Sequence, residues 1–208
     1  MTVSKIEPSR HVKGRFLVYC AEEEAPLKVT EHELLDFSLY PGRALSDEET
    51  QTLRRAAAKS GARARAAAMI GAHALSKKEL CRRLTQKGES AENAAEAADW
   101  LEEIGALNEL GYAKTVVRHY AAMGYGPAKM RDELYRRGVP RALWDEAVEA
   151  ESGDAVAAID RYIAGRLRGR EADDKTLKRI SDGLRRRGFS WSDIRAALGR
   201  FGERWNED

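Results

Sequence analysis

Leu80-Cys81-Arg82-Arg83-Leu84-Thr85-Gln86-Lys87-Gly88 occurs three times in this chain in related form. It returns as Met130-Arg131-Asp132-Glu133-Leu134-Tyr135-Arg136-Arg137-Gly138 and as Ile180-Ser181-Asp182-Gly183-Leu184-Arg185-Arg186-Arg187-Gly188. Each copy has an apolar residue, a leucine four later and a glycine four after the leucine. Apolar residues four apart share one helix face. Glycine suits the left-handed conformation just past a helix end, and the basic residue before it suits the negative end of the helix dipole. The leucines Leu84, Leu134 and Leu184 stand fifty residues apart, as do the glycines Gly88, Gly138 and Gly188. A period in this range marks a repeat protein built from small helical units.

Outward from the first copy, Ser46-Asp47-Glu48-Glu49 and Ser76-Lys77-Lys78-Glu79 are capping boxes,. The first predicts a long Ala/Arg-rich helix from Asp47 to about Ala74, bent near Gly61, with Leu53, Ala57, Ala64, Ala68 and Leu75 inward,. The second opens the organising helix. Ser90 to about Ile104 gives a third helix, with Ala94, Ala97, Ala98, Trp100, Leu101 and Ile104 inward. The second unit repeats the plan. Asn108 caps a helix to Met123 that buries Tyr112, Ala113, Val116, Val117 and Tyr120. Gly124-Tyr125-Gly126 is a turn, and Pro127 takes a first helical position, where a missing N–H costs nothing,. A third helix, about 140–150, offers Leu143, Trp144, Ala147 and Val148. In the third unit Asp154 caps a helix carrying Val156, Ile159, Tyr162 and Ile163. Asp173-Asp174 suits the start of the organising helix, where negative charge is favourable,. Ser190 opens a last helix with Ile194, Ala197, Leu198 and Phe201 inward; Glu203 to Asp208 is expected to fray, with Trp205 packing back.

Ahead of the repeats, residues 1–13 read as polar and loosely ordered. Arg15–Cys20 is rich in strand formers, Leu27–Thr30 and Phe37–Tyr40 add extended pieces, and Glu31–Asp36 is a short helical turn,. A small β-hairpin follows from this, with Glu22-Glu23-Glu24 near its connection. The expected fold is mainly α: three tandem three-helix repeats in an extended, curved array, preceded by the hairpin-like segment. The divisions are 1–45, 46–106, 107–152 and 153–208.

Apolar residues make up 43% and charged residues 34% of the 208, which fits a highly charged helical protein with a modest core,. The net charge of +2 hides an asymmetry. Arg161 to Arg187 holds eight arginines and two lysines against four acids, whereas acids dominate from Glu22 to Glu49. Such a split points to a basic surface for nucleic acid or an acidic protein partner. Cys20 and Cys81 make no disulfide framework, and no apolar run reaches membrane-spanning length, so a cytoplasmic protein is expected,. His11, His32, His73 and His119 lack metal-ligand spacing,. Cys81 reads as a half-buried small apolar residue, and Gly124-x-Gly126 lacks the wider phosphate-loop pattern,. No cofactor, metal or catalytic residue is expected.

These residues resemble the RecX family, modulators of the RecA recombinase. The resemblance rests on Ser76 to Leu80 with Leu84 and Gly88, on Leu101 to Leu107, and on Tyr112-Ala113, Gly124-Tyr125-Gly126-Pro127, Leu134, Gly138-Val139 and Trp144. It covers roughly residues 46–202. One departure is visible: the family usually has an acidic pair before Tyr-Ala, and here Asn108-Glu109 stands there. The resemblance implies a non-enzymatic regulator of DNA repair, homologous recombination and the SOS response. It would bind the RecA filament, with its single-stranded DNA, and inhibit strand exchange, ATPase and coprotease activities. The alternative is a helix-turn-helix-like DNA-binding module acting without RecA. A helical scaffold neutral to both is a third option. A monomer is expected.

The candidate contact residues are the basic ones between the fixed points. They are Lys77, Lys78, Arg82, Arg83 and Lys87 in the first copy, and Arg131, Arg136 and Arg137 in the second. The third offers Lys178, Arg179, Arg185, Arg186 and Arg187. If the units stack in similar orientation, these residues line one extended surface. Arginine forks suit carboxylate and phosphate alike. An ordinary solvated helix face is the competing reading. Tyr112, Tyr120, Trp144 and Trp191 are expected to pack inward rather than stack on bases.

Overall fold

The computed structural model describes residues 1–10, 12–167 and 173–200. The expected connection at 168–171, Phe201, Trp205 and the frayed end lie wholly or largely outside those residues. The chain divides into two compact units. One comprises Met1–Ala74 with Leu80–Leu107, the other Leu75–Glu79 with Asn108–Asp208.

The first unit opens on a three-stranded antiparallel sheet, β1 (Val3–Pro8), β2 (Arg15–Cys20) and β3 (Leu27–Thr30), in the order β1-β2-β3. The expected hairpin is thus β2–β3, and the segment read as loosely ordered is a third strand. β1 carries Lys5, Glu7 and Pro8 and only one fully buried apolar residue, Val3. Charges and proline are what an edge strand uses to discourage further pairing, and they hide its strand character in the sequence. Helix α1 (Glu31–Asp36) follows with a complete capping box from Thr30 and Glu33. Phe37–Tyr40 is not extended: Phe37 caps α1, and Ser38 takes a left-handed φ of 46°. Val3, Val18, Val29, Leu39, Leu45 and Leu53 form the core under the sheet.

Helix α2 (Asp47–Ala72) runs unbroken through Gly61 and is started by the Ser46–Glu49 capping box. It buries Leu53, Ala57, Ala62 and Ala66, whereas Ala64 and Ala68 face outward. In a stretch this rich in alanine, spacing carries no phase, so only packing against a neighbour selects the inward alanines. That neighbour is α4 (Ala91–Glu103), capped by Ser90, with Ala94, Ala97, Ala98 and Leu101 buried. Alanine meeting alanine permits close helix approach. Ile104, expected inward, is the helix cap and is 57% exposed. The first organising helix is α3 (Lys77–Gln86), with Leu80 and Leu84 buried.

The second unit holds two three-helix sets. The first is α5 (Glu109–Ala122), α6 (Pro127–Arg136) and α7 (Trp144–Glu151), the last preceded by a 3-10 turn at Arg141–Leu143. Its core is Ala113, Val116, Val117, Met130, Leu134, Val139, Ala147 and Val148. The second is α8 (Ala155–Leu167), α9 (Asp174–Arg186) and α10 (Trp191–Arg200), around Ile159, Ile163, Leu177, Ile180, Leu184, Phe189, Ile194 and Leu198. Tyr112, Tyr120, Tyr162, Trp144 and Trp191 are half-buried against these cores. Val156, expected inward, is 47% exposed in the first turn of α8.

Candidate partner interface

The three organising helices end alike. Gly88, Gly138 and Gly188 have φ of 93°, 71° and 88°. The next residue's N–H then reaches back to the leucine carbonyl: Glu89 to Leu84 at 3.1 Å, Val139 to Leu134 at 3.0 Å and Phe189 to Leu184 at 3.2 Å. This satisfies carbonyls the helix would otherwise leave open, and only glycine enters that φ region without penalty.

In the second unit each ending also docks on a helix start. The N–H groups of Gly126 and Ala128, at the start of α6, donate to the carbonyls of Arg187 (2.8 Å) and Gly188 (3.1 Å) at the end of α9. A Cβ on Gly126 would stand 2.5 Å from the Gly188 oxygen, so nothing larger than glycine fits. One junction further on, the Ser76 hydroxyl accepts from the Glu79 N–H at 3.2 Å and donates to the carbonyl of Arg137. Lys78 lies across Gly138, and Glu109 accepts the Lys77 backbone N–H at 2.9 Å. Negative helix ends thus meet positive helix starts, and each junction pairs some of the orphan groups that the two helices leave,. Asn108, at the departure from the family pattern, caps α5 by accepting from Gly111 N at 2.8 Å.

The basic side chains fare differently along this series. Lys77 and Arg83 are half-buried, while Lys78, Arg82 and Lys87 are exposed, each along α3 or just past its end. Arg131 pairs with Asp145 at 2.9 Å. Glu133, 7% exposed, gathers Lys129 at 3.1 Å, Arg136 at 3.5 Å and Arg137. Burial pushes the Glu133 carboxyl up, but hydrogen bonds from Arg137, Lys129 and Tyr120 outweigh it and hold the group below its ordinary value,. Arg137 also lies over the Tyr120 ring, 5.6 Å from its centre.

On α9 the position fifty after Glu133 is Gly183, and a Cβ there would collide with the Tyr162 hydroxyl. A carboxylate side chain there would have to displace Tyr162. Lys175, Lys178, Arg179, Arg185 and Arg186 are exposed on this helix. Among the described residues no salt bridge neutralises Lys178, Arg185 or Arg186. Arg179 acts on Asp173, which caps α9 by accepting from Thr176 N at 2.9 Å; the Thr176 hydrogen bonds and this charge hold its carboxyl below the ordinary value.

Arg187 is not on that open face. Its Nη1 donates to the carbonyls of Met123 and Gly124, each at 3.1 Å, and its guanidinium lies 5.1 Å from the centres of both Tyr125 and Tyr162. Sequence spacing grouped Arg185, Arg186 and Arg187 together, but the fold separates the third from the other two. The recurrence of a basic residue just before the glycine at 87, 137 and 187 was the available signal for a different role. Among the described residues no group of three His, Cys, Asp or Glu side chains could hold a metal ion, and no helix is long and apolar enough to cross a membrane.

Glycine-capped helices docked end to end in successive three-helix sets define a tandem three-helix repeat protein. The comparisons with known proteins agree. Residues 108–148 match the family description "RecX, second three-helix domain". The chain is 33% identical over 117 residues to the regulatory protein RecX of Pseudomonas entomophila (strain L48), covering 56% of this chain and 76% of that one. It is 35% identical over 123 residues to the regulatory protein RecX of Stenotrophomonas maltophilia (strain K279a), covering 59% and 76%. A crystal structure of regulatory protein RecX superposes with a TM-score of 0.77 at 19% identity, over 95% of this chain and 98% of that one. RecX from Lactobacillus salivarius does so with 0.64 at 16% identity, over 70% and 97%. At such identities the structures establish the fold. With the sequence relatives, they make the chain a member of the RecX family.

Proposed function

We propose that this protein binds the RecA recombinase filament on single-stranded DNA and restrains its strand-exchange, ATPase and coprotease activities. It acts in the cytoplasm by stoichiometric binding, as a monomer without cofactor or catalysis. Family membership supports this reading. The observation that carries the surface is the exposed cationic face of α9, where among the described residues no salt bridge neutralises Lys178, Arg185 or Arg186, whereas carboxylates pair the arginines of α6. Unneutralised arginine forks can meet the acidic loops of a filament or the phosphates it holds. Lys77, Lys78, Arg82, Arg83 and Lys87, on α3 or just past its end, are further candidate contacts. Purified protein added to RecA-dependent strand exchange at substoichiometric and equimolar ratios should inhibit it; no change at any ratio would sink the proposal.

The same open cations favour one alternative, a module that binds DNA by itself. DNA titrations without RecA across a salt series separate the two. Tight binding with a steep salt slope supports the alternative, because each phosphate contact releases counterions.

A further inference from the structure

We infer that Arg187 is a positioning residue: it latches the third three-helix set to the second, fixing how the cationic face of α9 is presented, rather than contacting the partner. The inference rests on the RecA-binding reading for its functional half only. Its structural half stands on four observations. First, the Arg187 fork spends its Nη1 on the carbonyls of Met123, the cap of α5, and Gly124 just past it, both in the preceding set. Second, the guanidinium lies over one tyrosine ring from each set, Tyr125 and Tyr162, 5.1 Å from both centres. Third, the backbone of Arg187 and Gly188 accepts the N–H groups of Gly126 and Ala128 at 2.8 and 3.1 Å. Fourth, the contact is too close for a Cβ at either Gly126 or Gly188.

The chemistry explains why arginine is needed. Cation–π attraction to two rings and donation to two carbonyls can be satisfied together only by a planar, delocalised cation with several fixed donors. Lysine has a compact ammonium that can approach a ring or a carbonyl, but not fill the whole slot. The latch also secures a helix-end contact whose polar groups would otherwise be left unpaired. The α9 cations ride on the helix that this contact holds, so its opening would re-aim them without changing their charge.

The test uses the full chain and three variants: Arg187→Lys, Arg187→Ala and Gly126→Ala. Hydrogen exchange of single amides is read by NMR, with circular dichroism to verify that each variant is folded. The Gly126 and Ala128 amides should exchange about tenfold faster or more in all three variants, as expected for a local opening. The Met130 and Leu134 amides, bonded within their own set, should keep their protection. Inhibition of RecA strand exchange should weaken in step in all three, including Gly126→Ala, which leaves Arg187 in place. Unchanged exchange at Gly126 and Ala128 in the Arg187 variants overturns the latch. Full protection and full inhibition in Arg187→Lys, with inhibition alone lost in Arg187→Ala, overturns it too, making Arg187 a partner contact. Faster exchange with undiminished inhibition overturns the positioning role. If wild-type protein leaves strand exchange untouched while the amides respond as expected, the RecA reading fails and the latch stands.

Discussion

Helices α6 and α9 occupy the same place in successive repeats, yet they handle charge in opposite ways. On α6, the buried Glu133 gathers Lys129, Arg136 and Arg137, and Asp145 holds Arg131. On α9, Gly183 stands in place of that glutamate, because the Tyr162 hydroxyl fills the space. Arg186 stands where α6 has Arg136 and loses that carboxylate, while Lys178 and Arg185 are cations added where α6 has Ala128 and Tyr135. The last arginine turns to two carbonyls and two tyrosines instead of a carboxylate. The lesson is that a repeat can hold its backbone fixed and still vary what it offers a partner, through a few side chains between its fixed points.

The largest effect is expected at position 183. Gly183→Glu should not restore an α6-like charge network, because its side chain must displace Tyr162. Overpacking of this kind is expected to cost about 3 kcal/mol, measured by urea unfolding. A stable variant with normal unfolding would show that the glycine is not required there. Next comes Glu133→Gln, which leaves Arg137 and Lys129 around a neutral amide. A loss of about 2 kcal/mol is expected, as for one partner removed from a mostly buried charged network.

The pH dependence of that second variant has a definite sign. The Glu133 carboxyl sits below its reference value of 4.5 in the folded protein. Its contribution is therefore fully present above about 4.5 and is lost as pH falls through the lower folded value. Between neutral pH and mild acid the wild-type advantage over Glu133→Gln should stay constant, then shrink as the solution is made more acidic. An advantage that grows on acidification would refute the assignment.

Substitutions on the exposed face of α9 act on binding rather than stability. Arg185→Glu with Arg186→Glu should leave stability within about 0.5 kcal/mol, as is usual for exposed positions. Affinity for RecA on single-stranded DNA should fall about tenfold, as expected for reversing charges at a complementary surface. Unchanged affinity in a filament-binding titration would make these arginines an ordinary solvated face. The weakest effect is expected for Arg131→Ala. Its exposed pair with Asp145 contributes at most about 1 kcal/mol to stability, and its charge is already neutralised, so affinity should change by about twofold or less.

Much of the scaffold was legible because helix signals are local. The capping residues Ser46, Ser90, Asn108 and Asp173 all accept the expected backbone N–H groups. Leu80, Leu84, Met130, Leu134, Ile180 and Leu184 are all buried. The misreadings share a cause: the sequence there does not show what lies opposite. β1 is an edge strand whose charges mask it, and the inward alanines of α2 are chosen by α4. Ile104 and Val156 sit at helix ends, where periodicity no longer predicts burial. The candidate cations were legible as a set but not by role. Charge is visible in sequence, whereas neutralisation depends on which side chain faces it.

The repeat, its helix ends and its family resemblance follow from the amino-acid order alone, because a fifty-residue period of leucines and glycines constrains backbone and core together. Which arginines remain open depends on packing between helices. That choice turns on Glu133 meeting three cations and Gly183 yielding to Tyr162, contacts between residues many positions apart. Their energies depend on distances of a few ångströms that no local pattern encodes.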